Sequence, residues 1–230
     1  MFTNVCLSIV RKLPKDNYRC GQNFLEQLFA FFYPTSYHYG VEGHVDKRLN
    51  EDELNGFVRT ADKNTPEKEL KAYAVDCEMC ITVSGLELAH VTVVNKNLEV
   101  VYDTFVKPPR PIIDYNTNFS GITENDLEGV HTTLKDVQNK LLELFCSKTF
   151  LIGHSLDSDL VTLKMIHDVV VDTSVVFPDR RGLPFKQPLK HLVTRFLNKS
   201  IQNKDGHDSN EDARACFELI LWKLKRDYMI

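Results

Sequence analysis

The 230-residue chain lacks the features that mark several protein classes. No stretch of uncharged apolar residues approaches the roughly 20 that a bilayer-crossing helix needs, which excludes a membrane-spanning helix. The apolar opening, residues 1–10, is short, and Arg11 and Lys12 interrupt it before any small-residue cleavage site. It reads as structure rather than as a secretory signal. Cysteine is sparse: six residues, at positions 6, 20, 77, 80, 146 and 216, too scattered for a disulfide framework. A reducing, intracellular setting is the expectation. A basic excess is missing as well, with a formal net charge of −4. Contact with a polyanion therefore has to be confined to a locally positive groove. What remains, 43% hydrophobic and 26% charged residues, is ordinary for a globular protein with one substantial core and a small extension.

Organisation follows from local pattern. Residues 61–71 are polar, charged and contain Pro66, which marks a linker between an N-terminal extension (1–60) and a main domain (72–230). In the extension, residues 24–32 suit an amphipathic helix stopped by Pro34, and residues 50–58 suit a helical turn or two. No internal repeat is visible. Residues 72–79, 87–94 and 98–106 read as three consecutive antiparallel strands, with Asn95, Lys96 and Asn97 as turn material. Apolar residues at 134, 137, 141, 142 and 145 have helical spacing. Residues 150–152 and 169–171 read as buried strands, and 156–166, 189–197 and 210–225 as helices. Strands first, then alternating helix and strand, indicate an α/β fold with a mixed sheet flanked by helices.

Three elements carry acidic groups where solvation is not the obvious purpose. In Tyr73-Ala74-Val75-Asp76-Cys77-Glu78-Met79-Cys80, strand alternation puts Asp76 and Glu78 on one face, beside Ala74 and Cys80. Two carboxylates on an apolar strand repel each other and are costly to desolvate, and a bound cation relieves both problems. The bland alternative is a wetted strand face. Cys77 and Cys80, offset by three, fall on opposite faces and read as packing residues, not as a zinc pair. In the second element, Leu156, Asp159, Leu160 and Leu163 share one helical stripe, whereas Asp157 lies off it near Lys164. Asp159 thus points inward, and Asp157 simply favours the helix N-terminus. In the third, Asp212 aligns with Cys216 and Leu219 or Ile220 on the inward face of the last helix. There Ser209-x-x-Asp212 equally resembles a capping box, and His207 just before it equally suits a surface residue.

Taken together, these elements resemble the DEDDh 3′→5′ exonucleases, in their Rex-type RNA exonuclease branch, with RNase T and oligoribonuclease more distant. The resemblance spans about residues 72–228. Besides the acidic motifs it rests on Gly85-Leu86-Glu87-Leu88, Val101–Pro108, Phe119-Ser120-Gly121-Ile122-Thr123, Leu151–Ser155 and Val171–Ser174. It implies an RNase H-like mixed five-stranded sheet and an activity of two-metal-ion phosphodiester hydrolysis on single-stranded RNA from its 3′ end. It also implies that Asp76, Glu78, Asp159 and Asp212 hold two Mg²⁺ or Mn²⁺ ions. Asp76, Glu78 and Asp212 then serve the ion that activates water, and Asp76 and Asp159 the ion near the leaving oxygen. His207 is implied as general base, and Asp208 stands where a tyrosine variant of the family has its tyrosine. Met79, Phe119, Gly121, Ile122 and Thr123 are implied to hold the terminal nucleotide. Arg180, Arg181, Lys186, Lys190 and His191 then form a basic path for phosphates, against the plainer reading of a solvated surface.

The N-terminal extension keeps the Tyr37–Gly40 and Gly56-Phe57-Val58 stretches of Rex-type relatives but only Cys6 and Cys20, so no zinc site is expected there. The resemblance favours the nucleus, with the cytoplasm as alternative. Two other readings stay open: a binding paralogue that has lost activity, and a DNA exonuclease with the same chemistry.

Overall fold

The structure, a computed structural model, describes residues 54–64, 71–182, 184–202 and 206–228. The helix expected at 24–32, the Tyr37–Gly40 stretch, Cys6 and Cys20 and most of the expected linker lie outside the described residues. Among the described residues no helix is long and apolar enough to cross a membrane.

Strands β2 (Ala72–Thr82), β3 (Gly85–Asn95) and β4 (Val100–Phe105) form the antiparallel half of the main sheet. Their connections are tight for local reasons. Thr82 Oγ1 accepts the Ser84 N–H, and Asn95 Oδ1 accepts the N–H groups of Asn97 and Glu99, so each turn is closed by a side chain at its own start. Strands β6 (Phe150–Gly153) and β8 (Val170–Asp172) extend the sheet in parallel, giving the order β4-β3-β2-β6-β8. Both are buried along their whole length, as parallel strands covered on two faces require. A short sixth strand, β5 (Ile112–Asp114), pairs with the far end of β2.

Two cores sandwich this sheet. Helix α7 (Ser209–Tyr228) covers one face, packing Ala213, Cys216, Phe217 and Ile220 against Ala72, Ala74 and Ile152. Helices α3 (Leu134–Leu144) and α4 (Leu156–Thr162) cover the other. There Val137, Leu141, Leu156 and Leu160 meet Tyr73, Val75 and Cys77. Phe145, Phe150 and Phe217 are fully buried, each contributing about 1.5–3 kcal/mol by leaving water. The four described cysteines, Cys77, Cys80, Cys146 and Cys216, are buried, and Cys77 and Cys80 belong to different apolar clusters.

Two expectations need correction. The helix read over 156–166 stops at Thr162, because Lys164 takes a left-handed φ of 47° that a helix does not tolerate. Met165–Ile166 instead form strand β7, paired in parallel with β1 (Val58–Arg59), so a strand stands where the end of a helical turn was expected around 58. The helix read over 189–197 is present, as α6 (Leu189–Leu192) running on into a π-helical turn, Val193–Leu197. The β1–β7 pair is fixed by buried His167, whose Nε2–H donates to the Thr149 carbonyl (2.7 Å) while Nδ1 accepts from the Thr60 hydroxyl (2.8 Å). Burial pushes this imidazole down to a pKa of about 4, so it remains neutral.

Gly153 ends β6 where the chain must pass close to β2. A Cβ there would lie 2.5 Å from Leu156 Cδ1 and 3.1 Å from the Val75 carbonyl oxygen. Gly153→Ala should therefore cost about 1–3 kcal/mol through overpacking, read as a lower urea midpoint at unchanged slope. An unshifted midpoint would show that the turn has room to spare.

Candidate active site

The site is a gap in one edge of β2. On that edge β6 pairs with Ala72–Ala74 and β5 with Ile81–Thr82, and between them no described strand pairs with β2. Cys77 sits in the gap, and its N–H donates to Asp159 Oδ1 (3.0 Å) in place of a ladder bond. Asp159 can reach because α4 starts immediately beyond β6. Its entry turn, with Ser155 at φ 56°, is gripped by buried Asp172. That carboxylate accepts the N–H groups of Ser155 (2.9 Å) and Leu156 (3.2 Å) and also that of Ser174 (2.8 Å), capping the short helix α5 (Thr173–Val176). Asp157, one turn-position away, faces out and pairs with Lys186 Nζ at 3.0 Å.

Asp212 enters from the first turn of α7. The capping box suggested by Ser209 and Asp212 does not form. Asp208 caps the helix instead, its Oδ1 accepting the Asn210 N–H (2.9 Å). Ser209 Oγ is taken up by Thr92 Oγ1 (2.7 Å) and His90 Nδ1 (2.9 Å), and both of those residues also bind Asp103 Oδ1. This ring ties the start of α7 to β3 and β4 and leaves Asp212 free to face β2. His207 lies just before the helix, its Nδ1 3.4 Å from Asp212 Oδ2. Its backbone N–H donates to the Phe119 carbonyl (2.9 Å), so its loop rests on helix α1 (Thr117–Ser120). Gly206, at φ 91°, makes that contact: a Cβ there would lie 2.7 Å from Gly121 Cα.

Asp76 and Glu78 from β2, Asp159 from α4 and Asp212 from α7 thus bear on one another. Glu78, Asp159 and Asp212 are buried and Asp76 is half-buried. Burial is the main force raising all four pKa values, to about 9 for Glu78, about 8 for Asp159 and about 7 for Asp212. Asp76 rises well above its ordinary value, because Asp159, Asp212 and Glu78 add repulsion to burial. Asp208 adds its charge to Asp76 and Glu78. Glu78 Oε1 and Asp212 Oδ1 are buried without a hydrogen-bond partner. Among the described residues no three His, Cys, Asp or Glu groups are already closed into a ligand cluster. The donor set nonetheless fits a hard divalent cation: carboxylate oxygens only, two of them unpartnered, with no lysine or arginine pairing any of the four within the described residues.

The residues expected to hold substrate are spread more widely. Phe119 is exposed and Ile122 buried, on the loop that carries the Gly121 contact with Gly206. Thr123 binds Asp126 at the start of helix α2 (Glu124–Leu127). Met79 packs with the α3–α4 core, on the strand face opposite Asp76 and Glu78. It also lines a cleft of about 750 Å³ with Leu86, Leu88, Val106, Asp157 and Val161, which none of the four carboxylates touches. Arg181 pairs with Asp179 and lies 4.0 Å over the Phe185 ring, and Lys186 pairs with Asp157. Lys190 donates to the Gln202 carbonyl, while Arg180 and His191 are exposed. Sequence reasoning missed Gln202, whose Nε2 donates to Asp212 Oδ2 at 2.7 Å. A lone glutamine in a loop carries no periodic or motif signal.

Residues 74–220 match the exonuclease family typified by RNase T. The chain belongs to that family. The human RNA exonuclease 1 homolog is 54% identical over 178 residues, covering 76% of this chain and 15% of that protein. An uncharacterized exonuclease of Schizosaccharomyces pombe is 47% identical over 215 residues, 92% of this chain and 32% of its own. The Neurospora crassa Pan2 catalytic unit, a protease and nuclease domain, superposes with a TM-score of 0.61 at 25% identity, over 80% of this chain and 33% of that one. The chain therefore spans a third or less of these relatives. Rex-type membership and the RNase H-like fold both stand, and exonucleases of this family generally use divalent metal ions.

The raised carboxyl pKa values mean that the metal-free folded chain holds protons the unfolded chain releases. The resulting penalty is absent below the ordinary carboxyl value near 4 and grows as pH climbs through about 7 to 9. Metal-free protein should therefore melt at progressively lower temperature from pH 5 to pH 9. At pH 8, Asp76→Asn should raise the melting temperature by about 2–4 °C per kcal/mol of repulsion relieved. A flat pH profile in EDTA by differential scanning calorimetry would contradict this electrostatic account.

Proposed function

We propose that this chain is a 3′→5′ exoribonuclease that shortens single-stranded RNA by metal-dependent phosphodiester hydrolysis, in RNA processing or decay. The carrying observation is the set of four carboxylates from three elements at the β2 gap, two with unpartnered buried oxygens, beside His207. The relatives named as RNA exonucleases support RNA as the substrate. A nuclear location belongs to the same proposal and rests on family resemblance alone.

Asp76, Glu78, Asp159 and Asp212 are the residues that would hold two Mg²⁺ or Mn²⁺ ions. When bound, such ions make a water nucleophilic near neutral pH and neutralise charge on the scissile phosphate. His207 takes the proton from the attacking water. Burial, with Lys190 nearby, lowers its pKa, so it is neutral and ready to accept at physiological pH. The exposed Phe119 ring offers a stacking face for the terminal base, and buried Ile122 anchors its loop. Gly121 and Thr123 complete that end of the site, whereas Met79 lies on the opposite face of β2 and is set apart from it. Arg181 and Lys186 are held by half-buried acidic partners, Asp179 and Asp157, which a phosphate would have to replace.

The direct test uses 5′-labelled RNA and DNA of one sequence with Mg²⁺, Mn²⁺ or EDTA. A ladder shortening from the 3′ end of RNA, and none in EDTA, is expected. Binding without cleavage under every metal condition would leave a binding paralogue, and preferred cleavage of DNA would reassign the substrate. Asp76→Asn should reduce cleavage to background, and His207→Ala should lower it by about 10²–10⁴-fold. Asp157→Asn should retain most activity, and the opposite ranking of the two aspartate variants would overturn the assignment of Asp159.

A further inference from the structure

Gln202 lies in the segment after the π turn and does not belong to the set of acidic and basic groups. Contacts on both its backbone and its side chain fix it in place. Its backbone adopts φ 54°, the left-handed region, which for a residue with a side chain costs about 1–2 kcal/mol. Two contacts hold it there: its N–H donates to Glu211 Oε2 (2.9 Å), and its carbonyl accepts from Lys190 Nζ (2.7 Å). The side chain these contacts aim donates from Nε2 to Asp212 Oδ2 at 2.7 Å and comes within 3.4 Å of His207 Nδ1. Asp212 thereby has one oxygen committed to an amide and the other, Oδ1, buried without a partner. A backbone conformation kept against its own preference, at one particular side chain, points to function.

We propose that Gln202 is a positioning residue: by binding Oδ2 it turns the Asp212 carboxylate so that Oδ1 is presented to a cation, and it holds His207 beside that carboxylate. The proposal rests on the metal-dependent reading above. Groups that orient a ligand from behind typically account for 10–100-fold in metal affinity or activity. An amide suits the task because it donates to a carboxylate without neutralising it, so Asp212 keeps its full charge for the ion. A lysine in the same place would form an ion pair and compete with the metal.

Three variants test this. Gln202→Gly removes the side chain and also relieves the left-handed backbone, so the fold should be kept and the metal-free melting temperature maintained or raised. Its Mn²⁺ affinity, titrated calorimetrically on protein without RNA, should fall by about 10–100-fold. The rate constant kcat should fall with it while KM for an RNA oligonucleotide stays within about twofold, as expected when transition-state rather than ground-state interactions are lost. Gln202→Glu replaces the donor by a repelling acceptor, so its kcat should fall with that of the glycine variant, never recover towards the parent. Introduced into Asp212→Asn, Gln202→Gly should change Mn²⁺ affinity no further, because both act through one carboxylate. Parental Mn²⁺ affinity and kcat in Gln202→Gly, or an undiminished effect in the Asp212→Asn background, would overturn the proposal. Because Mn²⁺ binding is read without RNA, it separates this outcome from failure of the nuclease reading, which only the cleavage assay reports.

Discussion

Like charges held together out of water govern this structure. Four carboxylates face one another across a break in the hydrogen-bonded edge of β2; burial raises the pKa of each, and repulsion from the others adds to it for Asp76 and Glu78. Left to itself such an arrangement works against the fold. It persists because the carboxylates are anchored by three parts of the framework, which are stabilised by apolar packing elsewhere. Asp76 and Glu78 are fixed by the β2–β3 ladder. Asp159 rides on α4, whose entry turn Asp172 clamps through two backbone N–H groups. Asp212 rides on α7, whose first turn is tied to β3 and β4 through Ser209.

The gap itself is a product of topology. Where an antiparallel half-sheet meets a parallel one, β6 accompanies β2 for three residues before its chain must leave the sheet to begin a helix. Backbone groups of β2 beyond that point need other partners, and the Cys77 N–H finds one in Asp159. Ligand sites gather at such switch points for this reason: unpaired backbone, a helix start and diverging strands coincide there.

Much of this was legible from residue order. Alternation placed Asp76 and Glu78 together, and the helical stripe turned Asp159 inward and Asp157 outward, where it meets Lys186. Buried strands declared themselves by unbroken apolar runs at 150–152 and 169–171. What escaped was set by long-range partners. The helix over 156–166 was cut short by pairing of Met165–Ile166 with Val58–Arg59, over a hundred residues earlier. Ser209 looked like a capping residue because its true partners, Thr92 and His90, are distant in sequence. Gln202 was invisible because its importance lies in a backbone angle and in what its amide touches, neither of which has a local pattern.

The close passage of Gly206 over Gly121 has a further effect. With 2.7 Å left where a side chain would begin, the loop bearing His207 and the loop bearing Phe119 form one body with no cushion between them. A change that reshapes the Phe119 loop is therefore transmitted to the loop that carries His207. On the proposed function, choice of chain end and readiness for proton transfer would then be a single inherited trait, variation in one constrained by the tolerance of the other.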